Sequence, residues 1–303
     1  MALITLKITP LSSFATLPKG DTLFGQVLAY LYLNEKNNRE VLKKFDGYFK
    51  KEEEPPPPLV ISDIMPYGYL HKPTLPIECF SSFDTEEVDK KKLRKKEFIS
   101  VKNLQNGDLH LCEKIKYFDD IVTTKNSINR ATFITDGENF APYGLAERQF
   151  YRKLWIFILV ESSIKDKIIN TIREIGKFGF GKDANLGRGN FDVKEIENPI
   201  KKIDNPLFYL SISPTLLQDD DIVKSWYNPF TRFGKFGLHR ANKNAFKNPV
   251  LMADSGAVVK LSKSKEHFGT ALNNGTKEKI SHLQGYSIAI PFKIKDTKCL
   301  NID

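Results

Sequence analysis

Residues 153–196 read, in succession, KLWIFILV, ESSIKDKIINTIREI, GKFGFGKDANLGRGNF and DVKEI, and this stretch decides the fold. The first piece, Lys153 to Val160, is a short unbroken apolar run of the kind a fully buried strand shows. The second places Ile164, Ile168, Ile172 and Ile175 on one stripe, which predicts a helix from about Ser163 to Ile175 with Gly176 as its C′ residue. The third packs five glycines and three cations into sixteen residues. Phe191 to Ile196 then reads as a strand.

The loop carries two close glycine pairs, Gly179/Gly181 and Gly187/Gly189, with Lys182 and Arg188 beside them. Glycine admits positive φ and lacks the Cβ that would hold a ligand backbone away. Successive N–H groups in such a loop are expected to form an anion-binding concavity; the alternative is a glycine-rich turn between packed elements. Two familiar phosphate loops are excluded. No GxxxxGK[ST] occurs, and both that motif and GxGxxG need a loop that opens a helix, whereas here the loop follows one.

Working outward, Ile4 to Thr9 alternates as a strand, and Pro10 to Lys19 is a Ser/Thr/Pro loop. Asp21 stands as N-cap before a helix with Leu23, Val27, Leu28 and Leu31 on one face. Glu52 to Pro58, EEEPPPP, is a stiff extended connector, after which Leu59 to Ser62 resumes as a strand. From His71 to Asn126 the chain is irregular and charged, with six cations in the nine residues from Asp89 to Glu97, and an insertion projecting from the core is expected. The charge run reads either as a solvated face or as an arm that meets nucleic acid or a neighbouring subunit.

The first 200 residues thus give β-α-β, an insertion, then β-α-β, the order of a ferredoxin-like unit, which RNA-recognition domains also use. Asn198 to Pro206, NPIKKIDNP, has the composition of a boundary. Strand patterns follow at Leu207 to Ile212, Val250 to Met252, Ala257 to Leu261 and Tyr286 to Phe292. The expected class is α+β, with two ferredoxin-like (RRM-like) domains over about 1–200 and 205–303, the second more degenerate.

The chain has 303 residues, 41% of them hydrophobic, which supports sizeable cores. Its net charge of +9 suits a polyanionic partner without demanding one. Three cysteines, Cys79, Cys112 and Cys299, are odd in number and far apart, so neither a disulfide framework nor a CxxC metal site is indicated, and a reducing compartment is expected. The N-terminus lacks a basic leader region, and the longest apolar run is far too short to span a bilayer. A cytoplasmic, soluble protein is the expectation.

No catalytic centre emerges. His71, His110, His239, His267 and His282 are scattered, none pairing with Cys or a carboxylate at metal-ligand spacing. Asp219 to Asp221 reads as a solvated loop or helix start rather than a metal site. A metal-independent ribonuclease needs a general acid or base near the attacking 2′-hydroxyl, and the loop before the first helix holds no histidine. Ser12 and Ser13 are better explained as turn-capping residues than as nucleophiles. No catalytic residue, metal or cofactor is expected.

Recognition groups are better represented. Ser12, Ser13 and Thr16 precede the first helix, and Asn126 to Arg130 reads NSINR. A second glycine/cation cluster, TRFGKFGLHR, runs from Thr231 to Arg240. Single-stranded RNA is held by such backbone clamps together with aromatic stacking. Phe14, Phe178, Phe180 and Phe233 sit beside these segments as stacking or core residues.

Together these features resemble the repeat-associated RNA-binding (RAMP) superfamily of CRISPR effector proteins. The glycine loop reads GxGKxxxxGxG from Gly179 to Gly189. Finer matches are PLSSFATLPKGDTLFGQV from Pro10, ISDIMPYGYLHKP from Ile61, NSINRAT from Asn126, TRFGKFG from Thr231 and FKNPVLMADSGAVV from Phe246. They look like the fourth-subunit family of the type III-A Csm complex; Asn185 and Leu186 depart from it, where many relatives carry small hydroxyl residues.

The resemblance implies a non-catalytic subunit that grips the repeat-derived 5′ tag of the CRISPR RNA and joins the large palm-domain subunit to the backbone RAMP subunits. It makes the insertion 71–126 a thumb-like arm. Gly179, Gly181, Lys182, Gly187, Arg188 and Gly189 are then expected on the RNA backbone. Ser12, Ser13 and Thr16 form the opposite wall, and Arg130, Arg232, Phe233 and Lys235 add contacts. A repeat-processing endoribonuclease and a backbone subunit of the same complex remain the alternatives.

Overall fold

A computed structural model of the chain describes residues 1–48, 56–81, 89–135, 141–237, 245–276 and 280–300. In the first part, β1 (Ala2–Pro10), α1 (Gly20–Leu33) and α2 (Glu35–Lys43) lead to β2 (Leu59–Ile61), β3 (Met65–Pro66) and β4 (Tyr69–His71). Then come α3 (Lys90–Arg94), β5 (Phe98–Ser100), α4 (Val101–Asn106), β6 (Phe118–Lys125) and β7 (Tyr143–Phe150), followed by β8 (Leu154–Val160), α5 (Lys165–Phe178) and β9 (Phe191–Ile196). The main sheet runs β2-β8-β1-β9 with every pairing antiparallel. Here α1 lies in the connection between β1 and β2, and α5 in that between β8 and β9. This is the split β-α-β order expected for the first 200 residues.

β8 shows why its sequence is apolar throughout. Successive strand side chains point to opposite faces. Leu154, Ile156, Ile158 and Val160 pack with Val27, Leu31, Ile168 and Ile172 beneath the helices. Trp155, Phe157 and Leu159 pack with Phe208, Leu210, Ile288 and Phe292 from the second half of the chain. No residue of β8 exceeds 3% exposure. The main sheet is therefore the middle layer, with helices on one side and a second sheet on the other.

That second sheet uses β10 (Phe208–Ser211), β11 (Ile222–Trp226), β14 (Val258–Leu261), β15 (His267–Gly269) and β18 (Tyr286–Phe292), while β12 (Pro229–Arg232) pairs with β13 (Val250–Ala253), and β16 (Leu272–Asn273) with β17 (His282–Leu283). Its order is β11-β14-β10-β18-β15. The four predicted strand patterns are β10, β13, β14 and β18. The described residues after 205 hold strands and one 3-10 turn but no α-helix, so the helical crossovers of a second ferredoxin-like unit are not found there. The sheet obtains its cover from the first half instead.

The predicted insertion behaves differently from expectation. Phe80, Leu93, Ile99, Val101, Leu104 and Leu109 are buried in the core between the two sheets. Within 89–97 the charged side chains face outward while Leu93 is buried: Asp89 caps α3, accepting from the Lys91 and Lys92 N–H groups, and Lys92 is 82% exposed. The projecting element is the β6–β7 hairpin, which starts near the end of the expected insertion and runs from Phe118 to Phe150. Its base is fixed by rings, with Phe14 and Phe150 edge-on at 5.2 Å and Phe118 and Phe150 at 5.5 Å.

Three local expectations are also corrected. Lys19, not Asp21, is the N-cap of α1, because the Asp21 carboxylate is buried against Arg232. α5 runs to Phe178, and Gly176 lies inside it, where a Cβ would meet the Phe191 carbonyl oxygen at 2.2 Å. Cys79 and Cys299 form a disulfide across 220 residues of sequence, a pairing that spacing could not reveal. Cys112 is the free thiol among the described cysteines, buried, with its pKa pushed up to about 12 by that burial.

Candidate nucleic-acid interface

Three segments converge at the end of β1. The loop 11–18 leaves the strand beneath the glycine loop, with the Leu11 N–H donating to the Asn190 carbonyl at 2.9 Å and the Gly189 N–H donating to the Ser13 carbonyl at 2.8 Å. Phe14 then exchanges backbone hydrogen bonds with Arg148 of β7, at 2.9 and 2.8 Å. The glycine loop, the Ser/Thr loop and the base of the hairpin are thereby one structure.

The glycines are present for conformation and close approach. Gly179, Gly181, Gly187 and Gly189 all have positive φ, as does Asp183. A Cβ on Gly179 would meet the Arg188 carbonyl oxygen at 2.2 Å, and one on Gly189 the Phe180 carbonyl oxygen at 2.3 Å. Gly181 lies against Thr16, whereas a Cβ on Gly187 would meet nothing within 4 Å. The expected concavity of free N–H groups is not formed by these residues. The Gly181 N–H donates to Gln26 Oε1 at 3.0 Å, Lys182 to Thr16 Oγ1 at 3.2 Å, Gly187 to the Ala184 carbonyl at 3.0 Å and Arg188 to the Asp183 carbonyl at 3.3 Å. Ser12 Oγ accepts from the Asn190 N–H at 2.9 Å. The two walls touch each other, and the loop closes on itself.

Arg188 is likewise engaged inward. Its Nη2 lies 2.6 Å from Oε1 of Glu147 on β7, a side chain 1% exposed, and Ser13 Oγ donates to the other oxygen of the same carboxylate. Arg232 repeats the arrangement, with Nε 2.6 Å and Nη2 2.9 Å from the two oxygens of buried Asp21 on α1. Lys182 faces out, 67% exposed and 3.7 Å from Asp183. Phe178 and Phe233 are also exposed, at 67% and 74%, while Phe14 and Phe180 are core residues. Lys235 Nζ lies 4.8 Å from the centre of the Phe246 ring. Arg130 is exposed in the connection at the far end of the hairpin, apart from the other groups. Residues 238–240, which complete the second cluster, lie outside the described residues.

Sequence reading missed Glu147 and Gln26, because an isolated acid or amide in an alternating strand or a helix carries no signal until its partner is known. It also missed a buried network that joins the two halves. Asp63 accepts from the Gly20 N–H at 2.8 Å and from Ser255 Oγ at 2.6 Å, with Lys19 Nζ and His71 Nε2 each at 3.3 Å. Lys19 also reaches Asp254 at 2.8 Å. Burial by itself would raise the Asp63 carboxyl, but Lys19 and His71 override it and hold the group well below the usual carboxylate range. Burial opposes the Lys19 charge, and Asp63 and Asp254 outweigh it and hold the ammonium above the usual lysine range. In the acidic run, Asp219 and Asp221 are paired with Lys265, and Asp221 also with Lys263 at 3.1 Å. Among the described residues no helix is long and apolar enough to cross a membrane.

The architecture that carries these groups is that of type III CRISPR effector subunits. A chain in the crystal structure of a Csm1-Csm4 cassette in complex with pppApA superposes with a TM-score of 0.59 at 16% identity, covering 97% of this chain and 99% of that one. A chain in the Csm3-Csm4 subcomplex of the type III-A CRISPR-Cas interference complex gives a TM-score of 0.61 at 15% identity, covering 96% and 99%. Csm4 is the component common to both, and the fold of this chain is Csm4-like. No family model matches the chain, and no curated protein matches its sequence.

Proposed function

We propose that this chain is a non-catalytic CRISPR RNA-binding subunit of a type III-A effector complex. It holds the repeat-derived 5′ tag and joins the large palm-domain subunit to the backbone subunits in the cytoplasm. The observation that carries this reading is the fold, shared over 97% of the chain with structures of a Csm1-Csm4 cassette. A comparable likeness to a Csm3-Csm4 subcomplex supports a subunit with one neighbour on each side.

On this reading the residues divide by task. Lys182, Phe178, Arg130, Phe233 and Lys235 meet the RNA directly. The four loop glycines, Ser12, Ser13 and Thr16 shape the wall that presents Lys182, with Gly187 at its one open backbone approach. Arg188 and Arg232 fix the loop and the β12 strand to buried carboxylates. The β6–β7 hairpin takes the thumb role first expected of residues 71–126. A repeat-processing nuclease would place a general acid or base at this loop, and neither residues 11–18 nor 176–191 contain histidine. Incubating end-labelled CRISPR RNA, with and without its 5′ tag, tests the reading. Tag-dependent binding without a cut product is expected, and specific cleavage within the repeat would replace it with the nuclease.

A further inference from the structure

All three cysteines of the chain meet the core between the two sheets: Cys112 is buried in it, and Cys79 and Cys299 pack against it, half-buried. Cys79 lies in the 3-10 turn Ile77–Phe80 and Cys299 in the 3-10 turn Lys298–Leu300, so their bond ties a turn of the first half to the segment that follows β18. In a reducing compartment, the one expected for this chain, disulfides are as a rule transient and catalytic or redox-sensing rather than permanent. A bond placed there calls for a reason to open and close.

Residues 293–300 form a strap. Leaving β18, it passes the end of α4, where a Cβ on Gly107 would meet the Lys293 carbonyl oxygen at 2.8 Å and Lys295 pairs with Asp108. Lys293, Lys295, Asp296, Thr297 and Lys298 are all exposed. Leu300, 3% exposed, is the strap's one deep anchor, in the core with Phe80 and Leu109, and its carbonyl accepts from Lys224 Nζ at 3.5 Å. A solvent-exposed ion pair contributes little, and segments with so few buried contacts open locally without global unfolding. The disulfide is therefore the contact that decides whether the strap stays down.

The three sulfurs differ in access. Beside the half-buried pair, Glu78 and Lys298 are exposed, so a small thiol or disulfide reaches Cys79 and Cys299. Cys112 is closed off in the core, and burial pushes its thiol pKa up to about 12, which keeps it protonated and out of exchange.

We propose that Cys79 and Cys299 are a thiol–disulfide switch that locks and releases the 293–300 strap. In the closing step one of the two thiolates attacks a low-molecular-weight disulfide such as oxidised glutathione, forming a mixed disulfide and expelling one reduced thiol. The second cysteine attacks the protein sulfur of that bond and expels the other. Two cysteine thiols thus become one cystine while one small disulfide becomes two thiols, which take up the two protons the cysteines lose. Excess reduced thiol runs the same steps backward. The switch sets how firmly the two halves of the chain are held together and depends on no RNA contact.

The test equilibrates the full chain in buffers of reduced and oxidised glutathione at graded ratios, traps free thiols with a maleimide in denaturant and maps them by peptide mass. One free thiol, Cys112, is expected at the oxidising end and three at the reducing end, through a single reversible transition. In parallel, trypsin is expected to cut after Lys293, Lys295 and Lys298 at least roughly tenfold faster in the reduced chain, since cleavage follows the population of the opened segment. Cys79→Ser and Cys299→Ser should each be cut at the reduced rate in both buffers. Three free thiols at every ratio would overturn the proposal because the bond does not form. One free thiol even in excess reduced glutathione would overturn it because the bond is a permanent staple. Cys112 found in a disulfide, or strap cleavage equal in the two forms, would overturn it as well.

Discussion

The glycine loop at 179–189 and the ribbon at 229–253 look alike in sequence, each pairing glycines with cations and phenylalanines. In the folded chain they are opposites. The loop turns most of its polar groups inward, the N–H groups of Gly181, Lys182, Gly187, Arg188 and Gly189 donating to Gln26, Thr16, its own carbonyls and Ser13, and its arginine held by Glu147, while the Lys182 side chain faces out. The ribbon commits one face to Asp21 and the small core beside it and leaves the other to solvent. A buried carboxylate far away in sequence decides whether a cation near a glycine is a ligand contact or an anchor.

The largest effect expected from this contrast is on stability. Arg188→Met removes the counter-charge of buried Glu147 and should cost about 3–5 kcal/mol, the usual penalty for leaving one buried charge unpaired. A fall in the denaturation midpoint, absent in Lys182→Met, checks it. If the two variants melt together, Arg188 is not an anchor. Next, Gly179→Ala combines positive φ with a clash against a backbone oxygen at 2.2 Å and should lose about 3 kcal/mol. Gly187→Ala, with open space around it, bears only the left-handed penalty of about 1 kcal/mol. Thermal melts of the two variants side by side give the difference directly.

A third prediction concerns pH and the other buried carboxylate network. The folded-state pKa of Asp63 lies below its unfolded value, so the stability it contributes is fully present above the ordinary carboxylate range. That contribution is lost as pH falls through the lower folded value. Melting temperature followed from neutral pH into acid should show the wild type's advantage over Asp63→Asn shrinking only at the acid end. A constant gap would contradict the assignment.

The smallest effect is on salt dependence. About four charges engaging phosphates would give a log-log slope of roughly −3 for single-stranded RNA. With Arg188 and Arg232 tied to carboxylates, Lys182→Ala and Lys235→Ala should each flatten the slope by roughly 0.7, and each should change stability by less than about 0.5 kcal/mol. Titrations at several salt concentrations decide between them and the arginines.

Much of the first half was legible because its signals are local. The run from Leu154 to Val160 needed only the absence of polar residues to be read as buried, and the isoleucine stripe of α5 needed only its spacing. What escaped reading depends on partners distant in the chain. Cys79 and Cys299 are 220 residues apart, and Asp63 meets Ser255 across the interface of the two halves. Residues 71–126 looked like a projecting insertion because the buried side chains among them are irregularly spaced, and the second sheet, against which Phe80, Leu93, Ile99 and Leu104 pack, begins only at Phe208. The exposed ribbon was legible in its residues, TRFGKFG, but not in its sidedness, since alternation shows two faces without saying which one is covered.

The most direct test of the central claim is retention of end-labelled CRISPR RNA by this chain co-purified with the large and backbone subunits, comparing a guide that carries the 5′ tag with one that lacks it. The account predicts strong retention of the tagged guide alone, lost when Lys182 and the hairpin are altered, and no cleavage in the presence or absence of divalent metal. Equal retention of both guides, or a specific cut within the repeat, would contradict it.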